Sequence, residues 1–530
     1  MSELKFRPKL PEIPEAEQTP LVRSLVRIIA QQQEWIEHLE DEIRELKGGP
    51  KRPRLKPSQL ESRRWQAPGE EMEESEGKRR GKPQRRKTEE LRIHETRAVA
   101  VAGVPAGSRF KGCRRYVVQD LELRAHNTCF WLEQWQTPGG EYLSAEVPLA
   151  VRGGHFGPTL GGFVLHQYHH NHVTQPLLLE QLREFGVQIS AGQLNRLLVE
   201  DQEAFHQEKA ELKAAGVQVS AYVQTDDTGA RHQGRNGYCT YLGNESFAWF
   251  ESTASKSRIN FLACLQPQRR YVINAPVLAY LAERGLAQCH CRVLAAREAV
   301  DLTSEGEWQG YLSACGVVGE RAVALTTEGA LLGGLLAQGI SEELGIVSDG
   351  AKQFQILVHG LCWVHTERAF AQLIPLNETE RRAIEWVRDQ FWQLYHELKA
   401  YKVEPTAKQK AAIEAAFEAL CATETVCEPL NEALHHFHED KPDLLRVLER
   451  PELPLHNNLS ESDLREYVKK RKISGSTRSD EGRRCRDTFA SLKKTCRKHG
   501  LSFWEYLKDR LCGTGLIPRL ADLIRQAASP

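Results

Sequence analysis

Residues 217–229 read VQVSAYVQTDDTG. From Val217 to Thr225 the run alternates and is rich in β-branched residues, the pattern of a pleated, half-buried strand, and it closes on two acids, Asp226 and Asp227, before Thr228 and Gly229. The spacing predicts a strand that presents carboxylates at its C-terminal end. Downstream, Tyr238 to Leu242 and Phe247 to Ser252 predict two more strands, joined through Gly243, Asn244 and Glu245 as a meander. Leu344 to Ser348 predicts a further strand that again ends on an acid, Asp349, followed by Gly350. Strands of this kind separated by helical sequence make an α/β fold the expectation.

A strand-end aspartate is by itself more often structural, since Asp also initiates turns and caps helices. A third acid has a different setting. Asn457-Asn458-Leu459-Ser460-Glu461-Ser462-Asp463-Leu464-Arg465 predicts a helix that runs into Lys469, Lys470, Arg471 and Lys472. Taken alone, a helical Glu beside cations is a solvated ion pair of little energetic worth.

Working outward, Val22, Leu25, Ile29, Gln32, Ile36, Leu39, Ile43 and Leu46 alternate spacings of three and four, an a/d heptad that predicts a coiled coil over residues 1–47 and oligomerisation through it. Residues 48–95 carry Pro, Gly, Glu and the basic cluster Lys78 to Lys87 with little to bury, which predicts a disordered basic linker. Alternation and a turn at Pro138-Gly139-Gly140 predict a small β-rich region over 96–150. Its Cys113 and Cys129 stand without a C-x-x-C pair, so a zinc site is not expected there. His166, His169, His170 and His172 also lack spaced Cys partners, and the expectation is polar surface histidines. Gln175 to Phe185 and Ala191 to Leu198 predict two helices joined by a short turn, with Ser190 capping the second. Over 151–215 this is a helix-turn-helix-like region, expected either to contact DNA or to pack as any helical domain does.

On the far side of Asp349, Arg381 to Lys402 and Lys408 to Ala422 predict a helical insertion over about 370–455, too long to be a loop. Cys362 and His365 precede it; two ligands do not make a metal site, so a structural role on the Asp349 side of the pocket is expected. Between Arg465 and Lys498 there are 13 Lys or Arg against four acids, a density suited to DNA phosphates and otherwise read as a solvated helical face.

Composition bounds these readings. At 530 residues the chain exceeds what one hydrophobic core organises. With 41% hydrophobic and 27% charged residues, and no run near the roughly 18 apolar residues a membrane span needs, no membrane association is expected. The opening MSELKFRPKLPEIPE lacks a basic segment followed by an apolar one, which leads to a cytoplasmic expectation. Thirteen cysteines are too dilute for a disulfide scaffold and are expected as free thiols. Lys plus Arg and Asp plus Glu balance at 71 each, so the distribution of charge, and not its total, points to a polyanionic partner.

In combination and order, these motifs resemble the transposases of insertion-sequence family sixty-six, whose large subunit is called TnpC. The resemblance rests on Asp226-Asp227-Thr228-Gly229, on Asp349 ahead of Cys362-Trp363-Val364-His365, and on Asn457, Asn458 and Glu461 with the later Arg471-Lys472 pair. It implies an RNase H-like catalytic domain over 216–510 with the helical insertion inside it, and a C-terminal tail over 511–530. It further implies that Asp226, Asp349 and Glu461 are catalytic and hold two Mg2+ or Mn2+ ions, hard cations that prefer oxygen ligands. Cleavage of element ends and strand transfer into target DNA would follow, with Arg465, Lys469, Lys470, Arg471 and Lys472 on DNA, and Cys362, His365, Asn457 and Asn458 shaping the site. DNA, a second copy of the chain and small accessory transposition proteins are the implied partners, and the nucleoid the implied place of action.

The sequence departs from the family pattern in three places. The paired zinc ligands are missing from the 96–150 region, which resembles a degenerate zinc ribbon; Ser462 stands where Arg is usual, and Asp227 where Glu is usual. Strand alternation would put Asp227, not Asp226, on the face of Val219 and Val223, whereas the motif selects Asp226. A transposase-derived DNA-binding protein without catalysis, and a nuclease without strand transfer, are the rival readings.

Overall fold

The computed structural model describes residues 92–528 apart from residues 101, 104, 106, 112, 148–153 and 298. The predicted coiled coil and nearly all of the predicted linker lie outside the described residues. Within 96–150 the chain forms one hairpin, β1 (Gln134–Gln136) antiparallel to β2 (Tyr142–Ser144), turned where Gly140 adopts φ +87°. All 13 cysteines are free. No helix of the described residues is long and apolar enough to cross a membrane.

Helix α1 (Pro158–Leu165) runs into a π-helical turn at His166–His170. The predicted helix pair follows as α2 (Gln175–Glu184) and α3 (Ala191–Val199), the latter opened by a reciprocal cap between Ser190 and Gln193. Leu178, Leu182, Leu194 and Leu198 recur at helical spacing and are buried. The histidines of the turn are packed rather than on the surface as expected: His169 is 6% exposed and its ring lies 4.3 Å from that of Phe489.

Helix α4 (Glu203–Val219) carries through Val217 to Val219, where the alternation had predicted strand. A helix already nucleated in EKAELKAA propagates at little cost. Gly216 lets the Phe247 ring come so near that an added Cβ would lie 2.7 Å from it. The strand proper is β3 (Tyr222–Gly229); with β4 (Tyr238–Gly243) and β5 (Ala248–Thr253) it forms the expected antiparallel meander. Helix α5 (Arg258–Leu265), a two-stranded sheet of β6 (Tyr271–Ile273) and β7 (Val300–Leu302), and helices α6 (Ala275–Glu283), α7 (Gln288–Ala295), α8 (Glu305–Ala314) and α9 (Glu320–Ala337) intervene before β8 (Gly345–Ser348). Strands β8 and β9 (Val358–Leu361) then add parallel to β3, giving the five-stranded order β5-β4-β3-β8-β9 in a mixed α/β architecture.

Helices α10 (Trp363–Ala371), α11 (Glu378–Val403), α12 (Ala407–Cys421), α13 (Glu428–Glu439) and α14 (Lys441–Leu444) build a separate aromatic core around Trp363, Phe391, Phe417 and Phe437. The chain returns to the sheet as α15 (Asn458–Ser474) and α16 (Asp480–Lys498), then closes with α17 (Phe503–Cys512) and α18 (Leu520–Ala528). Residues 511–530, expected as a tail, thus include a helix whose Leu520 and Ile524 are fully buried; its start is fixed by Leu520 N–H donating to Glu208.

The two faces of the sheet differ. Val223, Leu242, Trp249 and Ile346 belong to the main core, while Tyr241 and Phe250 face Leu464 and Tyr467 of α15. Helix α16 lies along β5, where Thr495, Ser491 and Asp487 accept from the amides of Ala248, Phe250 and Ser252 at 3.2, 3.0 and 2.8 Å. Four helical residues advance about 6 Å and two strand residues about 6.6 Å, so each turn of α16 meets the next outward amide of the strand.

Candidate active site

Strand β3 pairs with β8 in parallel, with Gln224 opposite Val347. Two residues further along each chain come Asp226, still on β3, and Asp349, just past the end of β8, near enough for their charges to interact. The face of β3 that carries Asp226 is the one α15 covers: Gln224, two residues before Asp226, accepts from the Leu459 and Ser460 amides at the start of the helix. Asn457 ties the same junction, its side chain donating to Thr225 O at 2.9 Å and its amide to Cys362 Sγ at 3.2 Å. Asn458 opens the helix and Glu461 sits in its first turn.

Asp227 points the other way, with Thr225 and Val223. Its carboxylate accepts from Thr240 at 2.6 Å and from Gln353 at 3.0 Å. Burial raises its pKa, against those hydrogen bonds and the charge of Lys256. The carboxyl of Asp226 is pushed up to about 6, by burial first and then by the negative charge of Asp349, with His365 opposing. Two carboxylates and an imidazole therefore share one electrostatic neighbourhood.

Glu461 is held by the helix opposite: His365 Nε2 lies 3.0 Å and Arg368 Nη2 3.3 Å from its Oε1. Burial alone would lower the His365 pKa, but its neighbours Cys362 and Glu461, the latter bonded to Nε2, overcome it and lift the ring to about 10. Glu461 is lowered in turn, first by the His365 hydrogen bond, against burial. Among the described residues no three His, Cys, Asp or Glu side chains gather as a ready metal group. With Glu461 turned to its cations, the arrangement is two crowded acids on the strands and a third acid clasped on the neighbouring helix. The donor set is all oxygen and suits a hard cation, provided Glu461 exchanges its cationic partners for the ion.

Behind Asp349 runs a chain of hydrogen bonds that no motif in the sequence signals. Ser348 Oγ lies 2.9 Å from His359 Nε2, and His359 Nδ1 lies 2.6 Å from Asp443 Oδ2, on α14. The Gly350 amide donates back to Ser348 Oγ at 3.2 Å, and Gly350 takes φ +94°. The order resembles a hydrolase triad, but Ser348 is fully buried, so the chain of bonds acts as a strut between the helical insertion and the turn that carries Asp349.

The basic run divides. Arg465, Lys469 and Lys472 are exposed. Lys470, expected on DNA, turns inward: with Asp463 and Tyr467 it follows the inward stripe of α15, is 5% exposed and donates to Tyr168 O at 2.7 Å. Arg471 is spent on the end of β3, donating to Gly229 O and to Thr228 Oγ1. Arg368 and Gln224 were missed. Arg368 stands three residues after His365, on the same helical face, a spacing that could have found it.

A family model described as Transposase IS66 family matches residues 336–484, a span that holds Asp349, Cys362, His365 and Glu461 and leaves Asp226 outside. "Uncharacterized protein y4jO" from Sinorhizobium fredii (strain NBRC 101917 / NGR234) is 40% identical over 300 residues, which are 56% of this chain and 94% of that protein. No solved structure matches. With its strand-end acids, its Cys362-Trp363-Val364-His365 segment and its helical Glu461 all in one fold, the chain belongs to the Transposase IS66 family.

Proposed function

We propose that this transposase cleaves the ends of an insertion element and joins them to target DNA, using an RNase H-like core in which Asp226, Asp349 and Glu461 are the catalytic acids. The supporting observation is the register of β3 and β8, which brings Asp226 and Asp349 near enough for their charges to interact, with Asp226 on the face that Glu461's helix covers. The sheet order, an antiparallel meander extended by two parallel strands, is the arrangement an RNase H-like fold calls for. That face also favours Asp226 over Asp227 as the first acid, since Asp227 is turned away to Thr240 and Gln353.

The three acids would hold two Mg2+ or Mn2+ ions, which when bound activate an attacking oxygen and stabilise the leaving one. The chain's own part begins with charge: burial and then the Asp349 carboxylate raise Asp226, so the pair resists carrying two negative charges, a penalty that a bound cation would relieve. To hold an ion with them Glu461 would have to leave His365 and Arg368, and those two cations would then be free to face DNA phosphates. In the first reaction a water oxygen bonds to phosphorus and the 3′-oxygen departs with the electron pair. In the second, that 3′-hydroxyl attacks a target phosphodiester and displaces its 3′-oxygen. Arg465, Lys469 and Lys472 would contact the backbone, and the predicted coil over residues 1–47 would pair copies of the chain, with accessory proteins beside them on the nucleoid.

The clasp on Glu461 favours a second reading, a DNA-binding family member without cleavage. One experiment separates the two: incubate the full chain with labelled element ends and Mg2+, beside Asp226→Ala, Asp349→Ala and Asp227→Asn variants. The proposal expects cut and joined products from the parent and from Asp227→Asn, and none from the two alanine variants. Binding without products from any of them supports the second reading, and cutting without joining makes the chain a nuclease.

A further inference from the structure

Where the π-helical turn at His166–His170 meets α15 and α16, buried cations outnumber acids. Lys470, Arg486, Lys493 and Lys494 are 5, 7, 3 and 4% exposed, and Arg497 and Lys498 stand beside them. Two carboxylates serve this group. Glu466 pairs with Lys493, Lys494 and Arg497 at 2.6, 2.9 and 2.9 Å, and Asp463 with Lys494 and Lys498 at 3.3 and 3.0 Å. Asp487 is turned away, to Ser252 and Tyr467. Lys470 and Arg486 have no carboxylate within ion-pair distance among the described residues. Lys470 lies 3.4 Å over the Tyr168 ring and Arg486 donates to Gly475 O at 3.3 Å.

Between them lies a cavity of about 20 Å³, lined by His169, His172, Glu466, Lys470, Arg486 and Lys493 among others. His169 Nε2 and His172 Nδ1 are buried on it without a hydrogen-bond partner. A neutral water would satisfy the imidazoles but not the charge, and an uncompensated buried cation costs several kcal/mol. We propose that this cavity is a binding site for one small monovalent anion such as chloride, held by Lys470, Arg486 and the His169 ring. A space of this size has room for about one water-sized particle.

The electrostatics agree with the geometry. Burial, then Arg486 and Lys493, pull Lys470 down to about 7, the field an anion would relieve. Burial and the surrounding lysines keep the His169 ring neutral, so it binds an anion by donating a hydrogen bond from Nε2–H. The site lies on α15 beyond Glu461, so occupancy steadies the helix that carries this acid, and the inference stands whether or not the chain cleaves DNA.

The test is thermal unfolding of the full chain at fixed ionic strength in sodium chloride, sodium bromide or sodium gluconate, with a crystal grown in bromide for anomalous scattering. Chloride and bromide should raise the midpoint over gluconate by an amount on the order of 2 °C that saturates with concentration. An anomalous peak should lie beside Lys470 Nζ and Arg486. Lys470→Met should abolish the halide difference; should that variant fail to fold, Arg486→Met serves as the second, and the bromide crystal needs neither. Equal midpoints in all three salts, a halide effect that survives in the variants, or a bromide crystal without a peak in this cavity each overturn the proposal.

Discussion

Replacing His359 with Phe keeps the ring's bulk and removes both of its hydrogen bonds, so the strut behind Asp349 can be weighed. His359 is 4% exposed and bridges Ser348 to Asp443. The side chain of Asp443 is 25% exposed, so it regains water when its partner goes, and this loss falls at the low end, about 1 kcal/mol. Ser348 is fully buried; it keeps the Gly350 amide but its hydroxyl proton loses its acceptor, at about 1–3 kcal/mol. Together His359→Phe should cost roughly 2–4 kcal/mol in urea unfolding followed by tryptophan fluorescence. Ser348→Ala alone should cost about 1 kcal/mol, and the double variant should fall short of the sum by about 1 kcal/mol, because the two changes remove the same bond. Additive costs within about 0.3–0.5 kcal/mol, or a His359→Phe penalty below about 1 kcal/mol, would refute the strut.

Three further outcomes follow from the packing and the charges. Gly333→Ala puts a Cβ 2.5 Å from Val272 O where α9 crosses β6, and should lower stability by about 1–3 kcal/mol in a thermal melt, with wild-type behaviour showing that the crossing can open. Lys213 is brought down to about 8 from 10.5, chiefly by burial, and it donates to Gln266 O without a carboxylate in contact. The unfolded chain binds more protons between those values, so stability should rise as pH climbs from about 8 to 10.5, and Lys213→Met should flatten that slope; an unchanged slope would mean that Lys213 keeps its proton in the fold and counts against the lowered pKa. Thr495→Val leaves the Ala248 amide of the edge strand without an acceptor and should cost about 1–3 kcal/mol, read by faster hydrogen exchange at β5.

Part of the site was legible because its first two acids belong to strands. An apolar run ending on Asp349 marked the end of β8, whereas β3 starts later than the alternation suggests and runs on past Asp226 to Gly229, since pairing with β4 extends it. Face was harder. The alternation set Asp227 with Val223, correctly, but sequence does not say which face a helix 235 residues later will cover; the amides of Leu459 and Ser460 on Gln224 decide that. Helix α4 overran its predicted end because tertiary packing of Phe247 on Gly216 outweighs the strand propensity of Val217 and Val219. The basic run misled for the same reason. Lys470 has the composition of a phosphate contact, yet its position on α15 turns it toward Tyr168, a partner 302 residues away.

The pairing of α16 with β5 also governs how such a chain can change over time. Each residue added or removed between Asp487 and Thr495 rotates everything beyond it by about 100° around the helix axis, so a single insertion would swing one acceptor off the strand while leaving the others behind. Identity at these three positions can drift among side chains that accept a proton, but the count between them is fixed. Length variation among relatives is therefore expected in loops and in the helical insertion, and to skip this nine-residue stretch.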